Sequence, residues 1–172
     1  AIPREATAIV TVPADGKADL EKLAEEYESV FNEEYKAIEN KISVVVREVS
    51  LPDELIPEEI QDDFVHAVCA CPNGVFRFIP EIPDTVETST NLSIINADSR
   101  HIGVKCLLRS SVDSKKEELA SMMESVFALA GAKVEFSGSY SGWNPNMSSP
   151  ILKTMSEVYA KRFGKPASVK VI

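Results

Sequence analysis

The sequence predicts an α+β fold in which antiparallel strands carry helices on one face. Alternation of apolar and polar residues between Val86 and Arg109 indicates two strands joined by a short turn. Apolar residues spaced three and four apart indicate amphipathic helices before and after that pair. The predicted order, β-α-β followed by α-β-β-β-α-β, is typical of an α+β sandwich. Two related β-α-β halves are a further interpretation, although no repeat is visible in the sequence itself.

The first third of the chain predicts a strand, a long helix and a second strand. β-Branched residues favour strands over Ala6–Val12 and Ile42–Val49. A helix is predicted over Lys17–Glu39, because apolar residues recur there on one face. The opposite face carries glutamates, among them Glu28, and we interpret those as solvated.

The middle of the chain predicts a second helix and a short strand. Pro57 suits a first helical turn, and two glutamates follow it near the positive end of the helix. Pro72-Asn73-Gly74 ends this helix and turns the chain into a strand over Val75–Ile79. The rigid linker Pro80–Asp84 then leads into the strand pair.

The strand pair has a register that the hydrophobic pattern predicts. Even-numbered apolar residues recur along both strands: Leu92 and Ile94 on the first, and Ile102, Val104, Cys106 and Leu108 on the second. If both sets face one core, even residues pair with even residues, because a slip of one residue turns every side chain over. A turn centred near Ser99 then places Arg109 opposite Ser89, beside Glu87 and Asn91.

The last third predicts a helix, a strand, a linker and a further helix. Ser114–Glu117 forms a capping-box pattern for a helix that Gly131 ends, and a strand is predicted at Val134–Phe136. Gly138–Ser148 has the composition of a linker. Ser149-Pro150 then opens a helix that ends at Gly164, and a final strand is predicted over residues 167–172.

Composition limits the classes of function. The chain has 172 residues, enough for one ordinary domain or two small ones, and a net charge of −9. An acidic chain binds nucleic acid poorly, because phosphate contacts dominate that affinity. No apolar run approaches the roughly 20 residues of a membrane span. The odd number of cysteines, Cys69, Cys71 and Cys106, predicts free buried thiols in a reducing cytosol.

The sequence predicts no catalytic residue and no metal ligand in this chain. His66 and Cys69 lie three residues apart on a predicted helix with Cys71 nearby, but a zinc site needs three or four convergent ligands at set spacings. Neither a nucleophile elbow nor a glycine-rich phosphate loop is present.

Arg109 is the strongest candidate for a functional side chain by pattern alone. A planar guanidinium at a strand end suits bidentate binding of a carboxylate. A surface arginine paired with Glu87 or Asp113 fits the same pattern, and both interpretations stay open here.

Both ends of the sequence favour a piece of a longer protein. It begins at Ala1 without a methionine, and it stops within the apolar, strand-like run that ends at Ile172.

Several blocks of sequence together resemble one enzyme family. They are Ala1–Ala6, Ala70–Val75, Val86–Asn91, Cys106–Ser110 with Asp113-Ser114, Gly142-Trp143 with Pro145, and Ser149-Pro150. In order, and over essentially the whole chain, they resemble bacterial aminoacyl-histidine dipeptidases, which are carnosinase-like zinc metallopeptidases that hydrolyse Xaa-His dipeptides.

The resemblance implies a division of labour between two domains. One domain carries two metal ions, a bridging water and a carboxylate base, and the other is a lid that grips the dipeptide. Residues 1–148 match the lid, and residues 149–172 match the beginning of the return into the catalytic domain. Zinc or another divalent metal is thus expected in the full-length cytoplasmic enzyme, and none in this chain, which is expected to be inactive alone.

The resemblance also implies roles for particular residues. Arg109 matches the lid arginine that holds the substrate carboxylate or the tetrahedral oxyanion, and Asn91 and Glu87 lie on the matching polar strand. Expected partners are a dipeptide with a C-terminal histidine, the catalytic domain of the same chain, and a second copy in a homodimer. A non-catalytic α+β module for binding or oligomerisation is the alternative function.

Overall fold

A computed structural model describes residues 4–39, 41–98 and 100–169. The helices and strands, in chain order, are α1 Lys17–Tyr35, α2 Glu58–Ala70, β1 Gly74–Phe78, β2 Val86–Ala97, β3 Ile102–Ser110, α3 Asp113–Leu129 and α4 Pro150–Phe163. This content confirms the α+β class. The chain divides into two compact units, one over Glu5–Leu55 and one that contains Ile56–Ile172. No described helix combines the length and the apolar character that a membrane crossing requires.

The first unit contains α1 and no strand among its described residues. The prediction of strands over Ala6–Val12 and Ile42–Val49 is therefore wrong, since neither segment forms a strand. A strand exists only where a neighbour completes its ladder of hydrogen bonds, and β-branched composition cannot supply that neighbour. The helix also ends at Tyr35, four residues before the predicted Glu39. A turn follows, in which the Tyr35 carbonyl accepts hydrogen bonds from the N–H groups of residues 38 and 39.

Polar side chains of α1 hold the segment that follows it. Glu28 accepts a hydrogen bond from the Val44 N–H at 2.7 Å, through its Oε2. The Asn32 amide donates to the Ile42 carbonyl at 2.7 Å and accepts from the Ile42 N–H at 3.3 Å. The interpretation of Glu28 as a solvated acid is therefore wrong, because its carboxylate satisfies a backbone donor that has no strand partner.

The second unit is built on a three-stranded antiparallel sheet with the order β1-β2-β3. The predicted register is confirmed along its base, where Ser89 lies opposite Arg109 and Leu92 lies opposite Cys106. A bulge follows, since Ile94 pairs with Lys105 and Ser93 is left as the extra residue of β2. Beyond the bulge even residues no longer face even residues. Ser99, the predicted centre of the turn, lies outside the described residues, as do residues 170–172 of the predicted final strand.

The core of this unit lies between the sheet and two helices. α3 packs on β3, and α2 packs on α3. Leu119 of α3 is the most deeply buried large side chain, with 2% of its surface exposed, and the Thr90 hydroxyl lies 3.9 Å from the Met123 sulfur. The buried apolar residues are Ala67, Cys71, Ile79, Ile82, Leu119 and Met123.

The helix ends of this unit agree only in part with those predicted from the sequence. The predicted capping box is wrong, because the residue before α3 is Val112 and no side chain caps the helix. Gly131, with φ of 70°, and Gly164, with φ of 68°, are confirmed as left-handed stops after α3 and α4. The strand predicted at Val134–Phe136 has no ladder partner in the described part of the chain. α4 itself contains no buried residue.

The three thiols are free, but they differ in exposure. Cys71 is buried and Cys106 partly buried, whereas Cys69 is exposed, so the expectation of a buried thiol was wrong for Cys69. Burial, with a smaller effect of the neighbouring Cys71, raises the pKa of Cys106 from 9.0 to about 12.

The raised pKa of Cys106 predicts a loss of stability at alkaline pH. In the unfolded chain this thiol ionises near pH 9, whereas in the folded chain it stays protonated up to about pH 12. Its contribution to the free energy of unfolding is therefore complete below pH 9 and is lost as the pH rises towards 12. We expect the urea midpoint to fall more steeply between pH 8 and 10.5 in the wild type than in Cys106→Ala, with Cys69→Ala as the control. Parallel pH dependence in all three proteins would contradict this.

Candidate functional site

Arg109 lies at the end of β3, one residue before the strand stops. It pairs across the sheet with Ser89, so the two side chains share a face. Its side chain is exposed, and it makes no hydrogen bond or ion pair with any residue that the structure describes. The five N–H donors of its guanidinium are thus available to an anionic ligand.

The two acids that could have paired with Arg109 have other partners. The Glu87 carboxylate lies 3.2 Å from the Arg77 Nε, and only 6% of the Glu87 side chain is exposed. Asp113 lies 3.4 Å from the Lys116 Nζ and accepts a hydrogen bond from the Gly142 N–H at 2.7 Å. The interpretation of Arg109 as a member of a surface ion pair is therefore wrong.

The other two predicted site residues lie on β2. Glu87 is buried, and besides Arg77 it accepts a hydrogen bond from the Thr88 hydroxyl at 3.3 Å. Asn91 is partly buried and lies opposite Leu107 in the register. The structure thus brings Ser89, Asn91 and Arg109 to one face of the β2–β3 pair. Direct contact of Asn91 or Glu87 with a substrate stays a prediction.

A network of hydrogen bonds fixes the backbone around Arg109. The Thr88 and Ser110 hydroxyls lie 2.9 Å apart, and the Ser110 hydroxyl accepts from the Val112 N–H at 3.0 Å. The Ser111 N–H donates to the Glu87 carbonyl at 3.0 Å. Because the residues after Arg109 are held in this way, the strand end that carries the guanidinium is preorganised.

A distant segment is tied to the same strand end by what we call the Asp113 cluster, which consists of Asp113, Lys116 and Tyr140–Gly142. Asp113 accepts from the Gly142 N–H at 2.7 Å, and the Lys116 ammonium donates to the Tyr140 carbonyl. The Gly142 N–H, with smaller effects of Lys116 and Ser141, holds the pKa of Asp113 below its ordinary value. The Asp113 carboxylate therefore stays ionised, as an acceptor of these bonds, to a lower pH than an ordinary aspartate.

Gly142 packs directly on the backbone that follows Arg109. A Cβ at this position would lie 2.6 Å from the carbonyl carbon and oxygen of Ser111, and 2.7 Å from the Ser110 oxygen. Only a glycine allows this approach without movement. The sequence interpretation of Gly138–Ser148 as a linker missed this contact. The signal that could have found it was the Gly142-Trp143 pair among the blocks that carry the family resemblance.

The described residues do not form a metal site. No group of three or more His, Cys, Asp or Glu side chains converges within residues 4–39, 41–98 and 100–169. His66 and Cys69 both lie on the exposed side of α2. These residues do not fit the two-metal centre that the family resemblance implies, and we assign no reaction step through a metal to them.

Comparison with known proteins identifies relatives of the whole chain. No family model matches it. It is 33% identical, over all 172 of its residues, to the cytosol non-specific dipeptidase of Escherichia coli K12, and it covers 36% of that protein. Among solved structures, aminoacylhistidine dipeptidase from Vibrio alginolyticus superimposes with a TM-score of 0.90 at 35% identity, over 94% of this chain and 33% of that one.

The two comparisons agree on how much of a dipeptidase this sequence represents. The chain spans about a third of the length of each relative, in line with the expectation that it is a piece of a longer protein. The α+β arrangement of its described residues matches the solved relative closely. The family resemblance of the sequence is therefore confirmed, and this chain is homologous, along about a third of their length, to bacterial dipeptidases.

Proposed function

We propose that this chain is the substrate-binding lid of a cytoplasmic, metal-dependent dipeptidase that hydrolyses Xaa-His dipeptides such as β-Ala-His. One observation carries the proposal: Arg109 is exposed and unpaired among the described residues at a preorganised strand end. The similarity to a non-specific dipeptidase and to an aminoacylhistidine dipeptidase supports a dipeptide as the ligand.

The chemistry of the strand end fits one end of a dipeptide. A guanidinium binds a carboxylate through two parallel N–H···O bonds, which fix orientation as well as adding affinity. Because Glu87 and Asp113 are engaged elsewhere, neither carboxylate occupies the N–H donors of Arg109, although the chain as a whole carries a net charge of −9. The same side chain could stabilise an oxyanion if the scissile carbonyl were presented to it.

In this proposal the metal ligands and the general base lie outside residues 1–172. This chain contributes binding and orientation, which lower the barrier by holding the reacting groups in place. Residues 1–148 form the lid, and residues 149–172 begin the return into the catalytic domain.

The surface of α4 supports a catalytic domain as the partner within the same chain. Four large apolar residues of this helix are more than half exposed, namely Ile151 at 67%, Met155 at 62%, Val158 at 57% and Phe163 at 56%. A helix with an apolar stripe and no buried residue requires a covering surface.

The unit over Glu5–Leu55 supports a second copy of the lid as a further partner. The segments on either side of α1 expose large apolar side chains, with Ile9 67% and Val45 63% exposed. These segments form no strand ladder among the described residues, so their backbone N–H and C=O groups, other than those held by Glu28 and Asn32, can pair with a neighbouring strand. A homodimer formed through such segments would give each of them a strand partner.

The proposal is tested by assaying the full-length protein that contains this chain. We expect it to release histidine from β-Ala-His and Gly-His with a divalent metal and to lose this activity with a chelator. The 172-residue chain alone, with added zinc, should show no turnover. Absence of hydrolysis by the metal-loaded full-length protein would favour the non-catalytic module, and turnover by the isolated chain would contradict the division between two domains.

A further inference from the structure

Trp143 is the only tryptophan of the chain, and it is unusually exposed. Its side chain is 78% accessible, and it makes no hydrogen bond or ring contact with the residues that the structure describes. A large indole is normally buried on folding or used to bind a partner, because its apolar surface is costly in water. Its place in the fold indicates what it binds.

The Gly142 contact places Trp143 close to Arg109. Gly142 touches the carbonyls of Ser110 and Ser111, which directly follow Arg109 along the chain. Standard backbone dimensions then limit the separation of the Arg109 and Trp143 Cα atoms to about 14 Å. Within that limit, the two long side chains can reach opposite ends of one extended residue of a bound peptide, which spans about 3.5 Å along its backbone.

The backbone that precedes Trp143 is anchored to the fold. Asp113 holds the Gly142 N–H at 2.7 Å, and Lys116 holds the Tyr140 carbonyl, so the backbone just before the indole is anchored to α3. Anchoring of this kind lowers the entropic cost of using a side chain for recognition. Both anchors come from the first turn of the helix that begins three residues after Ser110.

We propose that Trp143 determines specificity, with its indole stacking against the C-terminal side chain of a dipeptide whose carboxylate is held by Arg109. The ligand class is a dipeptide with an aromatic or heteroaromatic C-terminal side chain, including imidazole. This inference rests on the proposed function of the chain as a substrate-binding lid. A neutral ring gains from offset or edge-to-face packing on the indole, and a protonated imidazole gains in addition from the charge on the ring face.

The test compares substrates in the full-length, metal-loaded protein. Trp143→Ala should raise KM for Gly-His and Gly-Phe by between about threefold and tenfold and leave kcat within twofold, because stacking acts on substrate binding. KM for Gly-Ala should change by less than twofold. Trp143→Phe should restore most of the affinity for Gly-His and Gly-Phe, because it returns an aromatic face to the same backbone position.

Two other outcomes would overturn the inference. Equal losses on Gly-Ala, Gly-His and Gly-Phe in Trp143→Ala would show that the indole packs against the protein, for example on the catalytic domain, and not against the substrate side chain. Normal kinetics of Trp143→Ala on every substrate would show that it contacts neither. Both outcomes leave the dipeptidase itself active, whereas a wild-type protein that hydrolyses no dipeptide would overturn the proposed function as well.

Discussion

Replacing Arg109 by alanine in the full-length protein should lower kcat/KM on β-Ala-His by about 100-fold or more. Removal of one donor that stabilises developing charge typically costs that factor, and Arg109 has no other partner among the described residues that its removal would disturb. If the guanidinium holds the substrate carboxylate in the ground state, the loss will appear in KM. If it holds the oxyanion, the loss will appear in kcat.

Two variants control this experiment. Arg109→Lys keeps the charge but not the planar fork, so its kcat/KM should fall between those of the wild type and Arg109→Ala. Arg100→Ala removes an exposed arginine at the opposite end of the same hairpin and should have kinetics like the wild type. Unchanged kinetics in Arg109→Ala would leave this arginine as an ordinary surface residue.

Replacing Gly142 by alanine should reduce both stability and activity. The new methyl group would lie 2.6 Å from the Ser111 backbone, so one segment would have to move by roughly 0.8 Å to reach an ordinary contact. Overpacking of this kind costs about 1–3 kcal/mol. A displacement near 1 Å beside a binding group can lower kcat/KM by up to about 100-fold. Urea denaturation and steady-state kinetics measure the two effects.

Gly103→Ala is the matched control for this prediction. Gly103 lies on β3 near the hairpin tip, and a Cβ there would meet only the Asn96 oxygen at 3.9 Å. The same substitution should therefore change stability and activity little. If Gly142→Ala behaves like Gly103→Ala, the segment after Tyr140 is free to move away, and the Asp113 cluster does not position it.

The hairpin register was predictable from sequence because it is set by local rules. The alternation along β2 and β3 specifies which residues share a face, and it placed Arg109 opposite Ser89 correctly. The helix ends at Gly131 and Gly164 were predictable for a similar reason. The residue that ends a helix in the left-handed backbone conformation is usually a glycine and sometimes an asparagine, so a glycine after an apolar stripe indicates the end.

The errors concern interactions between parts of the chain that are far apart in sequence. Ala6–Val12 has the composition of a strand, but a ladder needs a second segment that composition does not identify. Glu28 was assigned to solvent by its position on the helix, whereas its partner lies 16 residues away at Val44. The contact of Gly142 with Ser111 joins two backbones and leaves no trace in hydrophobic periodicity.

The bulge at Ser93 separates the hairpin into two parts with different tolerance of change. Below it, removal of one residue of β3 between Cys106 and Arg109 would turn the arginine to the opposite face of the sheet. Beyond it, the residues from Ile94 to Ala97 and their partners form the exposed tip. Residues added there extend a solvent-facing loop and do not change the pairing below the bulge. Homologous hairpins can therefore diverge in length at the tip while the distance from the bulge to the arginine is retained.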